Sequence, residues 1–282
     1  GMATSGLVPA WCPFTDGENF IHGGFAKKVF EKSKASLPHI SSDVMHGWQP
    51  LNPEALKLIY DEIVEEAGVK VLFYSQFVIA ETENGGSVKC IIVANKAGLS
   101  AYQADFYIDC TGDGDLCVRA GADYVFGDES TGAVQAATLC FILSNCDSYT
   151  FINGYDTTKT GDWLYDGGTI FKILKHEKYR HIKDAHLCGN LIGPGTVGFN
   201  AGHVFNIDAT DPESMSGAVI EGRKIARDFV EALAEVLPKT YANSYLVATA
   251  NSVGIRESRR ILGEYYLTES DYFERKSFRE RS

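Results

Sequence analysis

The residues best suited to chemistry lie in one run, Tyr107-Ile108-Asp109-Cys110-Thr111-Gly112-Asp113-Gly114-Asp115-Leu116. An apolar strand pattern passes into glycines and small polar residues, and a short helical pattern ending near Gly121 follows. At such a junction backbone N–H groups are left unpaired, and glycine lets a ligand come close. A bend exposing the N–H groups of Gly112 and Asp113, with the Thr111 hydroxyl as a further donor, suits a nucleotide's ribose or pyrophosphate. The same residues also make sense as a tight turn capped by Asp. The run is not G-x-G-x-x-G, because Cys117 stands where the third glycine would be. Asp113 and Asp115 would also repel a phosphate lying directly above them. The alternating acids and terminal Glu of an EF-hand are missing too.

Two further segments hold candidate groups. Met2-Ala3-Thr4-Ser5-Gly6-Leu7 combines small residues, two hydroxyls and a glycine, which permits close approach to a planar ligand; an ordinary loop has the same composition. In Gly254-Ile255-Arg256-Glu257-Ser258-Arg259-Arg260 the arginines are closely spaced. Helix-like spacing from Gly254 to Thr268 puts Arg256 and Arg260 on one face and Arg260 beside Glu264. Such a group could clamp a carboxylate or the charge of a reduced cofactor. It could equally be a set of exposed ion pairs, each contributing only about 0.3–0.5 kcal/mol. His176, His181 and His186 recur every five residues, which does not gather them on a helix face, so they are expected at the surface rather than on a metal. His22 and His203 sit in glycine-rich loops and stay open as site residues. Tyr149, Phe151, Tyr155, Trp163 and Tyr165 could stack on a sugar or pack within a domain.

The elements that must position these groups follow from periodicity. A helix is expected near Phe25–Ser36. A second opens at Asn52-Pro53, presents Leu56, Ile59, Ile63 and Ala67 on one face, and stops at Gly68. Val69–Tyr74, Phe77–Glu81, Val88–Ala94 and Ala101–Ile108 have strand character, with Gly85-Gly86 as a hairpin signal. Ala136–Leu143 has the pattern of a buried strand. A long helix runs from about Pro212 to Val236, capped by Asp211 and ended by Pro238, with Val219, Ala226, Phe229, Val230, Leu233 and Leu237 as its stripe.

At 282 residues the chain holds one large domain or two smaller ones. A net charge of −11 without a Lys/Arg run argues against a nucleic-acid or anionic-membrane partner. The apolar runs are strand-sized, well short of the roughly 20 residues a spanning helix needs. Cys12, Cys90, Cys110, Cys117, Cys140, Cys146 and Cys188 are scattered, odd in number and lack metal-ligand spacing. They are expected to be reduced and structural, in a cytoplasmic protein with no bound metal.

Three blocks together resemble a large family of FAD-dependent oxidoreductases found mainly in bacteria. They are GMATSGLV (1–8), YIDCTGDGDLCVRAGA (107–122) and VGIRESRRILGEYYLTESDY (253–272), with Asp208-Ala209-Thr210-Asp211 as a weaker fourth. The resemblance implies FAD as cofactor, contacted by Ala3, Thr4, Ser5, Gly6, Thr111, Gly112 and Asp113, with Val78 near the adenine. It places Arg256, Arg259 and Arg260 close to the flavin ring or to a small organic substrate that gives up hydride. The implied fold is α/β, a partial FAD-binding domain with a β-meander and an inserted mixed α+β cap. The implied division is 1–121 (flavin domain), 122–247 (cap) and 248–282 (return to the flavin domain).

Family members begin with a strand–G-x-G-x-x-G–helix unit and end with a further strand and glycine-rich turn. Neither is in this sequence, so the chain is expected to be a truncated form that binds FAD weakly or not at all by itself. Exposed sheet edges would then favour a homo-oligomer or a partner.

Overall fold

A computed structural model describes residues 5–12, 14–40, 48–83, 86–154 and 168–278. In chain order the elements are β1 (Ala10–Trp11), α1 (Gly24–Ala35), β2 (Gln49–Pro50), α2 (Pro53–Glu66), β3 (Gln76–Thr82), β4 (Val88–Asn95) and β5 (Gly98–Tyr102). Then come α3 (Asp115–Arg119), β6 (Tyr124–Phe126), β7 (Phe141–Ser144), α4 (Ser148–Ile152), α5 (Thr169–Leu174), β8 (Leu187–Gly193) and β9 (Thr196–Ala201). The chain closes with α6 (Pro212–Val236), α7 (Pro238–Tyr241), β10 (Tyr245–Thr249), β11 (Arg259–Ile261) and α8 (Glu269–Phe273). The chain divides into two compact units, one of residues 1–71 and 134–256, the other of residues 72–133 and 257–282. These boundaries differ from the expected division at 121 and 247. The meander pairs with itself, and the first 71 residues group with the segment expected to be the cap.

The larger unit is built on a four-stranded antiparallel sheet in the order β10-β7-β9-β8. Asp211 caps α6 by accepting from the N–H groups of Glu213 and Ser214 at 3.1 and 3.2 Å, and Pro212 opens the first turn. The face that α6 buries runs through Ala218, Gly222, Ile225, Ala226, Phe229, Ala232 and Leu233. Of the expected stripe, Val219, Val230 and Leu237 are only half-buried. Phe141 of β7 stacks on Phe199 of β9 at 4.9 Å and on Phe229 of α6 at 5.8 Å, and all three rings are fully buried. Sheet and helix therefore share one apolar core.

A satellite core of Val29, Leu51, Leu56, Ile59 and Ile63 joins α1 to α2. Asn52 caps α2 through the N–H groups of Glu54 and Ala55, and its amide also donates to the Ile192 carbonyl at 3.3 Å. Gly68, at φ +67, ends the helix, while Ala67 is its exposed C-cap rather than part of the apolar face.

The smaller unit contains the three-stranded meander β3-β4-β5, the antiparallel pair β6-β11 and the short helices α3 and α8. Two strand expectations and one helical one fail. Residues 69–74 form no strand. The strand expected over Ala101–Ile108 stops at Tyr102. Beyond it the Tyr107 hydroxyl turns back, donating to the Lys89 carbonyl at 3.1 Å and accepting from the Ala104 N–H at 3.0 Å. Phe106 and Ile108 are left 88% and 85% exposed, with no ladder partner among the described residues. Residues 254–268 are not helical, and Arg259–Ile261 form β11 instead. Every pairing between described strands is antiparallel, so the fold on view is mixed helix and antiparallel sheet, with no parallel α/β sheet among the described residues. Gly85, Tyr155, Trp163 and Tyr165 lie outside the described residues, as do Ala3 and Thr4.

Candidate functional site

The turn after Asp109 is organised by that residue's carboxylate. Asp109 accepts from the Thr111 N–H at 2.9 Å, the Thr111 hydroxyl at 2.7 Å and the Cys117 N–H at 2.9 Å. Burial raises its pKa, but these hydrogen bonds outweigh it and hold the group at about 2. The Thr111 hydroxyl in turn accepts from the Asp115 N–H at 2.9 Å, which starts α3. Gly112 sits at φ +93 with open space where a Cβ would be, in a backbone region that side chains disfavour.

The acids expected to repel an anion are turned elsewhere. Asp113 accepts from the Ser258 hydroxyl, and Asp115 pairs with Arg259. The N–H groups of Gly112, Asp113 and Gly114 have no acceptor among the described residues, and Thr111 and Gly112 are exposed. Unpaired donors around an open, positive-φ glycine fit a phosphate or ribose oxygen of a dinucleotide. Val78, on β3, is 41% exposed.

In the larger unit, Ser5 and Gly6 form a turn. The Ser5 and Ser252 hydroxyls share a hydrogen bond at 2.9 Å, and the Ser5 carbonyl accepts from the Asn251 N–H at 3.0 Å. The three arginines do not share a helix face. Arg260 pairs with Glu257 at 2.8 Å and donates to the Gly127 carbonyl at 2.7 Å. Arg259 adds a Tyr124 ring contact at 5.9 Å to its Asp115 pair. Arg256 donates to the Ala136 carbonyl and meets no carboxylate among the described residues.

Arg256 lines a cavity of about 310 Å³ with Val8, Pro9, Ala10, Trp48, His186, Cys188, Asn190 and Asn200. Strand geometry assembles its floor. His186, Cys188 and Asn190 recur every second residue along the β8 edge, so they share one face, while Leu187 and Leu191 point into the core. Cross-strand register sets Asn200 opposite Cys188 and Gly198 opposite Asn190. A Cβ on Gly198 would stand 2.6 Å from the Pro9 Cβ, so glycine here lets residues 8–10 lie across the sheet as a wall.

His186 is not a surface residue. Its ring stacks on His203 at 4.0 Å, and its Nδ1 is buried with no partner among the described residues. Burial, then the nearby His203 and Arg256 charges, push its pKa down to about 4, so the imidazole is neutral at physiological pH. Asp184 pairs with His203 Nδ1, which fixes that ring. His181 also leaves the surface, binding the buried Asp228 at 2.7 Å, while His176 is exposed as expected. The sequence expectations passed over Trp48, Cys188, Asn190 and Asn200. The polar–apolar alternation of His186-Leu187-Cys188-Gly189-Asn190 was the available signal, a strand period rather than a helical one.

The family model for FAD dependent oxidoreductases matches residues 1–281. The chain belongs to this family, whose cofactor is FAD. Among curated proteins none matches the sequence. Among solved structures, it is similar to CabE, an aromatic hydroxylase from angucycline biosynthesis, at 11% identity and a TM-score of 0.42. That likeness covers 92% of this chain and 42% of CabE, so the chain spans less than half of that protein's length. No described helix is long and apolar enough to cross a membrane.

Proposed function

We propose that this chain serves flavin-dependent oxidation of a small organic substrate. When bound, FAD supplies a two-electron acceptor for hydride, and the protein's part is to hold, orient and balance charge. The turn at Thr111, Gly112 and Asp113 contacts the cofactor, together with Ala3, Thr4, Ser5 and Gly6 and, through β3, Val78. Arg256 is the positive charge that acts on the reacting groups. Arg259, through Asp115, and Arg260, through Glu257 and the Gly127 carbonyl, act by positioning the turn and β11. We place the reaction in the reducing cytoplasm, a reading supported by seven cysteines that form no disulfide.

The observation that carries this reading is the set of unpaired N–H groups at residues 112–114, with both neighbouring carboxylates engaged elsewhere. No parallel strand–helix–strand unit accompanies the turn among the described residues, and α3, which follows it, is only five residues long, so the turn lacks the long helix that usually cradles a pyrophosphate. Fluorescence titration of FAD into the purified chain should therefore give saturable binding with Kd above about 1 μM, weakened about tenfold or more by Gly112→Val. Absence of saturation at about 1 mM, sub-micromolar affinity, or an unaffected Gly112→Val protein would overturn it.

A second reading has one observation in its favour. The extended segment after Tyr102 exposes Phe106 and Ile108 without a strand partner among the described residues, which suits self-association or a partner rather than catalysis.

A further inference from the structure

The cavity around His186 is assembled from residues that the flavin-contacting turn does not use. We infer that it is a binding site for a small organic monocarboxylate with an apolar body. Its charge argues for the ligand's sign. Among the described residues, Arg256 is the one cationic side chain lining it, and no carboxylate lines it. Asp184, the nearest acid in the network, is bonded to His203. His186 is neutral there, and Cys140, whose thiol contacts Asn200 at 3.9 Å, is held protonated by burial with a pKa of about 12. The described lining thus carries a single fixed positive charge, matched by one anionic group; a dianionic phosphate would call for more.

Uncharged hydrogen-bonding groups surround that cation. Asn190 is 91% buried, and His186 Nδ1 is buried with no partner among the described residues. Buried polar groups left unpaired cost stability, so a ligand carrying matching oxygens is favoured there. The opposite wall is apolar: Val8, Pro9, Ala10 and the indole of Trp48. A volume of about 310 Å³ lies at the small end of ligand sites, enough for one compact ring or short chain. Taking the bound acid as the substrate of the flavin chemistry rests on the proposed function; the binding itself does not.

Calorimetric titration without FAD tests the site, with benzoate as probe, benzamide as its uncharged counterpart and inorganic phosphate as competitor. The expected result is 1:1 benzoate binding at millimolar affinity or tighter, with benzamide at least about tenfold weaker. Arg256→Gln should weaken benzoate about tenfold or more, Arg256→Lys less, and His186→Asn several-fold, each with an unchanged circular dichroism spectrum. No benzoate binding at about 10 mM, equal affinity for benzamide, displacement by equimolar phosphate, or an Arg256→Gln protein that binds like the parent overturns the inference. If Arg256→Gln fails to fold, the benzamide and phosphate comparisons on the unaltered chain decide. Because FAD is not added, a failed FAD titration leaves this result readable, and the reverse holds equally.

Discussion

His186 and Asp109 each tie a protonation state to the fold, with opposite chemistry. An unfolded imidazole titrates near 6.5, whereas His186 in the fold titrates at about 4 because it is buried and faces His203 and Arg256, Asp184 opposing them only in part. The folded state therefore binds fewer protons between these values. Its stabilising contribution is complete above about pH 6.5 and is lost as pH falls through 4. His186→Asn removes the contribution, so the melting temperature of the parent chain should drop further between about pH 7 and pH 4.5 than that of the variant. Parallel curves would contradict the placement. Asp109 is the depressed carboxylate, with stability present above about 3.8 and lost as pH falls through 2. Asp109→Ala leaves the Thr111 and Cys117 N–H groups without their acceptor and should cost about 1–3 kcal/mol, read by denaturant melting. At this scale the sequence displayed the right residue types but not their pairing. Three arginines within five positions looked like one cluster, yet a strand rather than a helix separates Arg259 from Arg260, and Arg256 has different neighbours altogether.

Elements were legible where the signal is local. Asn52-Pro53 and Asp211-Pro212 announce α2 and α6, because cap and first turn lie within a few residues and periodicity does the rest. The segments 69–74 and 103–108 have the apolar content of strands, but a strand also needs a ladder partner, and no local pattern reveals whether one exists. The cavity floor was legible only as alternation along β8; its completion by Asn200 and Pro9 depends on register and on a close approach at Gly198. That approach makes a prediction. Gly198→Val pushes a side chain into Pro9 and Ile192, and should cost about 1–3 kcal/mol in thermal melting while abolishing benzoate binding. A variant that melts and binds like the parent would show that residues 8–10 do not rest on this glycine.

At the scale of the whole chain, membership of the FAD-dependent oxidoreductase family was legible in three ordered blocks, and the match now extends over residues 1–281. The division into units was not, because the chain crosses between them three times, near residues 71, 133 and 256, and sequence composition does not show that the segments on either side regroup. The smaller unit carries the exposed Phe106 and Ile108. If they mediate self-association, light scattering should show a concentration-dependent oligomer that Phe106→Lys with Ile108→Lys abolishes; a monomer at all concentrations would dispose of that reading. The central claim concerns the turn at residue 112, and amide hydrogen exchange by mass spectrometry reports on it directly. Adding saturating FAD should slow exchange in the peptide spanning residues 109–117, and Gly112→Val should remove the effect. Unchanged exchange there, with protection confined to other peptides, would contradict the account.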